Sequence, residues 1–211
     1  MHEVIPGILE TEWSEIEKKL AIIKPFSRKV HIDILDGEFS KQVSFNDPAP
    51  FKKYQNDFYM EAHLMVNDPL KLLKPFADAG FKRFLGHIEK MKDLEEFIAQ
   101  GQILGEVGLA LDLETKTESV NVPYDDLDFI LLLGVKAGES GQEFMPKVLE
   151  KVKKIREKSQ ITIEIDGGIN EETIADCLKA GVNRFVATSF IFENKDPMEA
   201  YEKLLSVSIN S

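Results

Sequence analysis

The sequence predicts an α/β fold, a parallel (β/α)8 barrel that takes residues 1–211 as one domain. Three observations predict it. Short apolar runs of strand length alternate with longer amphipathic segments along the whole chain. No linker-like or low-complexity stretch separates the repeats. A chain of 211 residues can carry about eight such repeats around one core. An open doubly wound sheet is the structural alternative, but it usually has fewer strands for this length.

The elements follow in order. Val4–Leu9 is the first apolar run, and Trp13, Ile16, Leu20 and Ile23 then recur at helical spacing. Lys29–Leu35 is the second strand, followed by a loop over Glu38–Asp47 and a short helix from Pro48 to about Tyr54. Tyr59–Val66 is the third strand. Asn67-Asp68-Pro69 then starts a helix over Leu70–Ala79, which Gly80 stops. Arg83–His87 is the fourth strand, and Asp93 caps a helix expected to run to Gln100 and end at Gly101. Val107–Leu111 is the fifth, with a polar stretch over Asp112–Tyr124 after it. Phe129–Val135 is the sixth, and Pro146–Lys158 a helix with Val148, Leu149, Val152 and Ile155 on one side. Thr162–Ile165 is the seventh strand, and Asn170 caps a helix over Glu171–Ala180 that ends at Gly181. Arg184–Ala187 is the eighth strand and Pro197–Leu205 the last helix.

Composition narrows the partners. A charged fraction of 30% and a hydrophobic fraction of 43% suit an ordinary globular protein. The net charge of −11 argues against nucleic acid or an anionic membrane surface as the main partner. The single cysteine, Cys177, allows no internal disulfide, which fits a reducing compartment. The first apolar run is broken by Pro6 and followed by Glu10, Glu12 and Glu15, unlike a signal peptide. The expected location is the cytoplasm. No apolar run approaches the ~20 residues that span a bilayer.

One stretch organises the chemistry: Val30-His31-Ile32-Asp33-Ile34-Leu35-Asp36-Gly37. On a strand His31 and Asp33 share one face, while Val30, Ile32 and Ile34 take the other. A buried carboxylate needs a cation or a proton partner. His63 and Asp166 sit in matching places at the ends of the third and seventh strands. In a barrel all four residues face one mouth. Two imidazoles and two carboxylates there suit a divalent metal or acid/base work. Taken singly each is unremarkable: His63 as a core histidine, Asp36-Gly37 and Asp166-Gly167 as turn dipeptides. A second candidate is anion binding by Gly167 and Gly168 with Thr188 and Ser189, because loops after strands seven and eight of a barrel often hold phosphate. His87, beside Glu89, either lines the mouth or packs.

His31-Ile32-Asp33-Ile34-Leu35-Asp36-Gly37, His63-Leu64-Met65-Val66, Gly108-Leu109-Ala110-Leu111, Gly138 to Phe144 and Glu164-Ile165-Asp166-Gly167-Gly168-Ile169 together resemble the ribulose-phosphate 3-epimerase family, over nearly the whole chain. The resemblance implies a TIM barrel of the ribulose-phosphate-binding type. It implies one divalent ion, Zn, Fe(II), Mn or Co, on His31, Asp33, His63 and Asp166. It also implies a two-base epimerisation of a sugar phosphate, most simply D-ribulose 5-phosphate to D-xylulose 5-phosphate. Asp33 and Asp166 would remove and return the proton through a metal-stabilised enediolate. Substrate contacts would come from Gly7, Met65, Gly138, Ser140, Gly141, Gly167, Gly168, Thr188 and Ser189. Family members commonly self-associate, so a homo-oligomer is compatible.

The chain departs from the family pattern around the substrate. Pro6-Gly7-Ile8-Leu9 stands where Pro-Ser-Ile-Leu is usual, and Thr188-Ser189 where Gly-Ser is usual. Ala137-Gly138-Glu139-Ser140-Gly141-Gln142 replaces a Pro-Gly-Phe-Gly-Gly-Gln phosphate loop. Leu35 and Leu133 replace methionines, and Leu113-Glu114-Thr115 replaces Pro-Gly-Thr. Two alternatives follow: an epimerase of another ketose (a ketohexose phosphate or an unphosphorylated sugar), or a non-catalytic barrel acting as a binding protein. Barrel relatives that decarboxylate or condense sugar phosphates typically carry Asp-x-Lys-x-x-Asp, and no lysine lies in His31–Asp36.

Overall fold

The computed structural model describes residues 2–137 and 141–210. Eight parallel strands close into a barrel in sequence order: β1 (Glu3–Ile8), β2 (Lys29–Leu35), β3 (Tyr59–Met65), β4 (Arg83–His87), β5 (Glu106–Leu111), β6 (Phe129–Leu133), β7 (Thr162–Asp166) and β8 (Arg184–Ala187). β8 closes on β1, with Pro6 opposite Ala187. The open-sheet alternative is therefore excluded.

Helices α1 (Trp13–Ile23), α2 (Leu70–Asp78), α3 (Leu94–Leu104), α4 (Val148–Arg156) and α5 (Glu171–Ala180) occupy crossovers, and α6 (Ser189–Phe192) and α7 (Pro197–Asn210) follow β8. Two crossovers carry no α-helix, at the two places where the sequence predicts only a short helix and a polar stretch. β2 to β3 uses a 3-10 helix over Ala49–Tyr54, and β5 to β6 only single 3-10 turns at Thr117–Ser119 and Tyr124–Asp126.

The alternation in β2 does what its pattern implies. Val30, Ile32 and Ile34 join the main apolar layer between barrel and helices, and His31 and Asp33 point inward. Several boundaries differ from expectation: the last helix runs on to Asn210, the helix expected over Pro146–Lys158 is Val148–Arg156, and two others have a visible cause. α3 runs through Gly101, because the glycine is a packing residue rather than a stop: a Cβ there would sit 2.5 Å from Val107 Cγ2. β6 stops at Leu133, after which Gly134 N–H donates to the Asp166 carbonyl at 2.7 Å. α5 begins as expected, with Asn170 and Thr173 forming a reciprocal cap, and ends on Gly181 at φ 102°.

Candidate active site

Register brings the inward residues together. Asp33 lies opposite His63 across β2 and β3, and Asp166 ends β7 at the same mouth. His31 Nε2 is 3.2 Å from Asp33 Oδ1, 3.1 Å from His63 Nδ1 and 3.8 Å from Asp166 Oδ2. His63 Nδ1 is 2.8 Å from Asp33 Oδ1 and 3.5 Å from Asp166 Oδ2. An ion held tetrahedrally at ~2.0–2.1 Å needs ligand atoms about 3.3–3.4 Å apart. The observed edges bracket that value, so the four side chains fit a divalent ion.

The outer partners of both imidazoles favour, in the neutral ring, the tautomer a metal ligand needs. His31 Nδ1–H donates to Glu61 Oε1, leaving the Nε2 lone pair toward the cluster. His63 is fixed by a relay. His87 Nδ1 lies 3.1 Å from Glu89 Oε2, and His87 Nε2 lies 2.9 Å from His63 Nε2. With Glu89 accepting from His87 Nδ1–H, His87 Nε2 accepts from His63 Nε2–H, and the His63 Nδ1 lone pair faces the cluster. The His63 and His87 rings stack with centroids 5.0 Å apart.

The local field suits a cation. Burial opposes ionisation of Asp33, but His31 and His63 outweigh it and hold the carboxyl well below the usual carboxylate range. Burial pushes His31 and His63 down, yet the surrounding carboxylates win and raise both above an ordinary imidazole. His87 is lowered, chiefly by burial. Below the cluster lies a second buried carboxylate layer. Burial opposes ionisation of Glu61, but His31 and Arg83 bring it down to about 2. Glu164 is pushed up to about 7 by burial and by the Glu61 charge, and neither of its oxygens has a hydrogen-bond partner among the described residues. Arg83 anchors this layer through Glu61 Oε2 at 3.1 Å and Glu106 Oε2 at 2.8 Å.

A cavity of about 520 Å³, its open mouth included, lies over the cluster. Asp33, Met65, Gly141, Asp166, Gly167, Gly168, Thr188 and Ser189 all line it. Gly7 does not line it, because the Thr188 side chain covers it. Gly138 and Ser140 lie outside the described residues. Gly167 (φ 105°) and Gly168 (φ 70°) take backbone conformations that favour glycine, and a Cβ on Gly168 would meet Phe144 N at 2.6 Å. Leu133 and Lys136 complete much of the wall. Asp36 is a turn residue: it accepts from Glu38 N–H and Phe39 N–H, and from Asn67 N–H at 2.6 Å.

Glu61, Arg83 and Glu164 were not legible as site residues from strand ends alone. A signal existed: each is a charged residue at an inward position of an apolar strand, and Glu61 and Glu164 stand two residues before His63 and Asp166. His87 resolves as a partner of His63.

The fold and site define a parallel barrel whose cluster of two imidazoles and two carboxylates could hold a divalent ion. The chain belongs to the ribulose-phosphate 3-epimerase family, whose model matches residues 3–192. It is accordingly a ribulose-phosphate 3-epimerase-like isomerase acting on carbohydrates. A ribulose-phosphate 3-epimerase from Schizosaccharomyces pombe is 30% identical over 210 residues, covering 96% of this chain and 92% of the relative. One from Chlamydia muridarum is 33% identical over 186 residues, covering 83% and 81%. Among solved structures, 3-hexulose-6-phosphate synthase from Salmonella typhimurium superposes with a TM-score of 0.74 at 14% identity, covering 99% of each chain, a likeness of fold. No helix among the described residues is long and apolar enough to cross a membrane.

Proposed function

We propose that the protein is a metal-dependent 3-epimerase of a ketose phosphate, most simply interconverting D-ribulose 5-phosphate and D-xylulose 5-phosphate. The observation that carries this is the pairing of Asp33 and Asp166 in one cavity wall with His31 and His63 directly behind them. The four residues would hold one divalent ion, with Zn, Fe(II), Mn and Co all compatible with the donor set. When bound, the ion supplies the positive charge that offsets negative charge developing on the sugar as its proton leaves. Asp33 takes the proton from the carbon beside the ketone, and Asp166 returns one to the opposite face. Asp33's depressed pKa keeps it ionised, as a base must be at neutral pH. Glu61 and His87 orient the two imidazoles. Met65, Leu133 and Val135 shield the reacting carbon from water.

A second substrate reading has its own observation. A neighbouring cavity beside Gly168 and Ser189 is lined by Glu143 and Glu193, carboxylates that would repel a phosphate dianion. An unphosphorylated ketose would not meet that repulsion. One experiment separates these: the purified, metal-supplemented protein is offered phosphorylated and unphosphorylated ketoses, and epimer formation is followed by NMR. Preference for D-ribulose 5-phosphate upholds the proposal, and preference for an unphosphorylated sugar replaces its substrate. Inactivity on every ketose by a demonstrably metal-loaded protein sinks the catalytic assignment.

A further inference from the structure

Strand β4 supplies no residue to the cluster of His31, Asp33, His63 and Asp166, yet two of its inward side chains reach the two imidazoles. Phe84 joins the outer apolar layer, and Arg83, Leu85 and His87 alternate inward from it. His87 meets His63 directly. Arg83 reaches His31 through one intermediary. Register sets it between Glu61 on β3 and Glu106 on β5. Its Nη1 donates to Glu61 Oε2 at 3.1 Å, and its Nε donates to Glu106 Oε2 at 2.8 Å. The other Glu61 oxygen, Oε1, accepts from His31 Nδ1–H. Glu164 Oε1, 3.6 Å from the same nitrogen, is beyond hydrogen-bond reach. Arg83, Glu61 and His31 are all buried. The guanidinium also stands over the Tyr59 and Phe129 rings, 5.1 and 5.4 Å from their centroids. Two carboxylates and two rings therefore hold it in one place.

We propose that Arg83 is a positioning residue for metal binding: by holding Glu61 Oε2 it aims Oε1 at His31 Nδ1–H, and so keeps the His31 Nε2 lone pair on the cluster. This rests on the reading of that cluster as a metal site. A glutamate side chain is flexible, and a planar fork bonded to one of its oxygens fixes where the other points. β4 then orients both ligating imidazoles, His63 through His87 and His31 through Arg83, without contributing a ligand. The same geometry sets a sign for glutamine at position 61. A guanidinium carries donors only, so it would claim the amide oxygen and turn the amide NH2 toward His31 Nδ1. Nδ1 must then accept, and the ring proton moves to Nε2, the atom that faces Asp33, His63 and Asp166. With Arg83 removed as well, the amide is free to flip and offer its oxygen to Nδ1–H again. Two other accounts give different signs. If Arg83 only supports the fold, its loss weakens metal binding whether position 61 is glutamate or glutamine. If it only repels the ion by its charge, its loss tightens binding in both cases.

The test is a cycle of wild type, Arg83→Met, Glu61→Gln and the double variant Arg83→Met/Glu61→Gln, with Arg83→Lys beside it. Co(II) affinity of the apoproteins is measured by chelator competition. The Co(II) absorption spectrum records the ligand set, and the Tm of each apoprotein reports folding. Arg83→Met should bind Co(II) about tenfold more weakly, with a changed spectrum. Glu61→Gln should also bind more weakly than wild type. The double variant should bind more tightly than Glu61→Gln, so that the effect of removing Arg83 reverses sign. Arg83→Lys, with one nitrogen where the guanidinium uses two, should fall between wild type and Arg83→Met. A loss in both backgrounds, a gain in both, or Arg83→Lys at wild-type affinity overturns the inference. The lysine variant decides it even where Arg83→Met does not fold. A wild type that binds no Co(II) overturns the metal-site reading itself, and this inference with it.

Discussion

Replacing His87 by alanine should weaken metal binding without touching a ligand. His87 is fully buried, and its Nε2 accepts the Nε2–H of His63 at 2.9 Å. Without it, His63 has a buried donor with no acceptor, an arrangement that costs about 1–3 kcal/mol. The imidazole can relieve that cost by moving its proton to Nδ1, the atom that faces Asp33 and Asp166. A protonated Nδ1 cannot ligate. The expected loss is about 10–100-fold in affinity, the range for outer-shell partners of ligating histidines. The assay is competition between apoprotein and a chromogenic chelator, for wild type, His87→Ala and His87→Gln. Glutamine offers a carbonyl acceptor and should recover part of the loss. Circular dichroism of the apoproteins separates the expected cavity cost from the binding cost. Unchanged affinity in a folded His87→Ala protein would refute the relay.

Three further outcomes are expected. Asp166→Asn should abolish net epimerisation in both directions while Asp33 still exchanges the proton it faces; NMR in D2O should show deuterium entering one epimer with no second epimer formed, and undiminished turnover would remove Asp166 from its role. Metal affinity should fall as pH drops, because carboxylates raise the His31 and His63 pKa values and protons compete for the same lone pairs; calorimetry in buffers of different ionisation enthalpy should show proton release on binding, and none would contradict this. Glu164→Gln should stabilise the chelated protein at pH 8 but not at pH 4. The folded Glu164 pKa is raised from 4.5 to about 7, so the unfolded chain releases that proton first and stability falls as pH rises between those values. The full shift corresponds to roughly 3 kcal/mol, and a gain independent of pH would disprove it.

The barrel and the four clustered residues could be read from the sequence because both rest on short-range pattern. Strands announce themselves by apolar runs, and a polar residue at a strand end is conspicuous against them. The rest depends on contacts between distant segments. Gly101 looked like a helix stop because glycine usually is one; only the approach of Val107 makes it a packing residue. The missing helix between β5 and β6 left no periodic signal in either direction. The four residues of α6 are too few to show a period. Glu61, Arg83 and Glu164 sat inside strands whose apolar content dominated the pattern, and their partners lie on other strands.

The most direct measurement is a titration of chelated protein with a divalent ion in D2O. Deuterium entry at C3 of D-ribulose 5-phosphate is followed by proton NMR, with His63→Ala alongside. Exchange that is absent at the start, rises to a plateau near one equivalent of ion per chain and stays absent in His63→Ala is the expected result. Exchange at full rate in the chelated protein, or in the variant, would contradict the assignment of this cluster as the metal-holding active site.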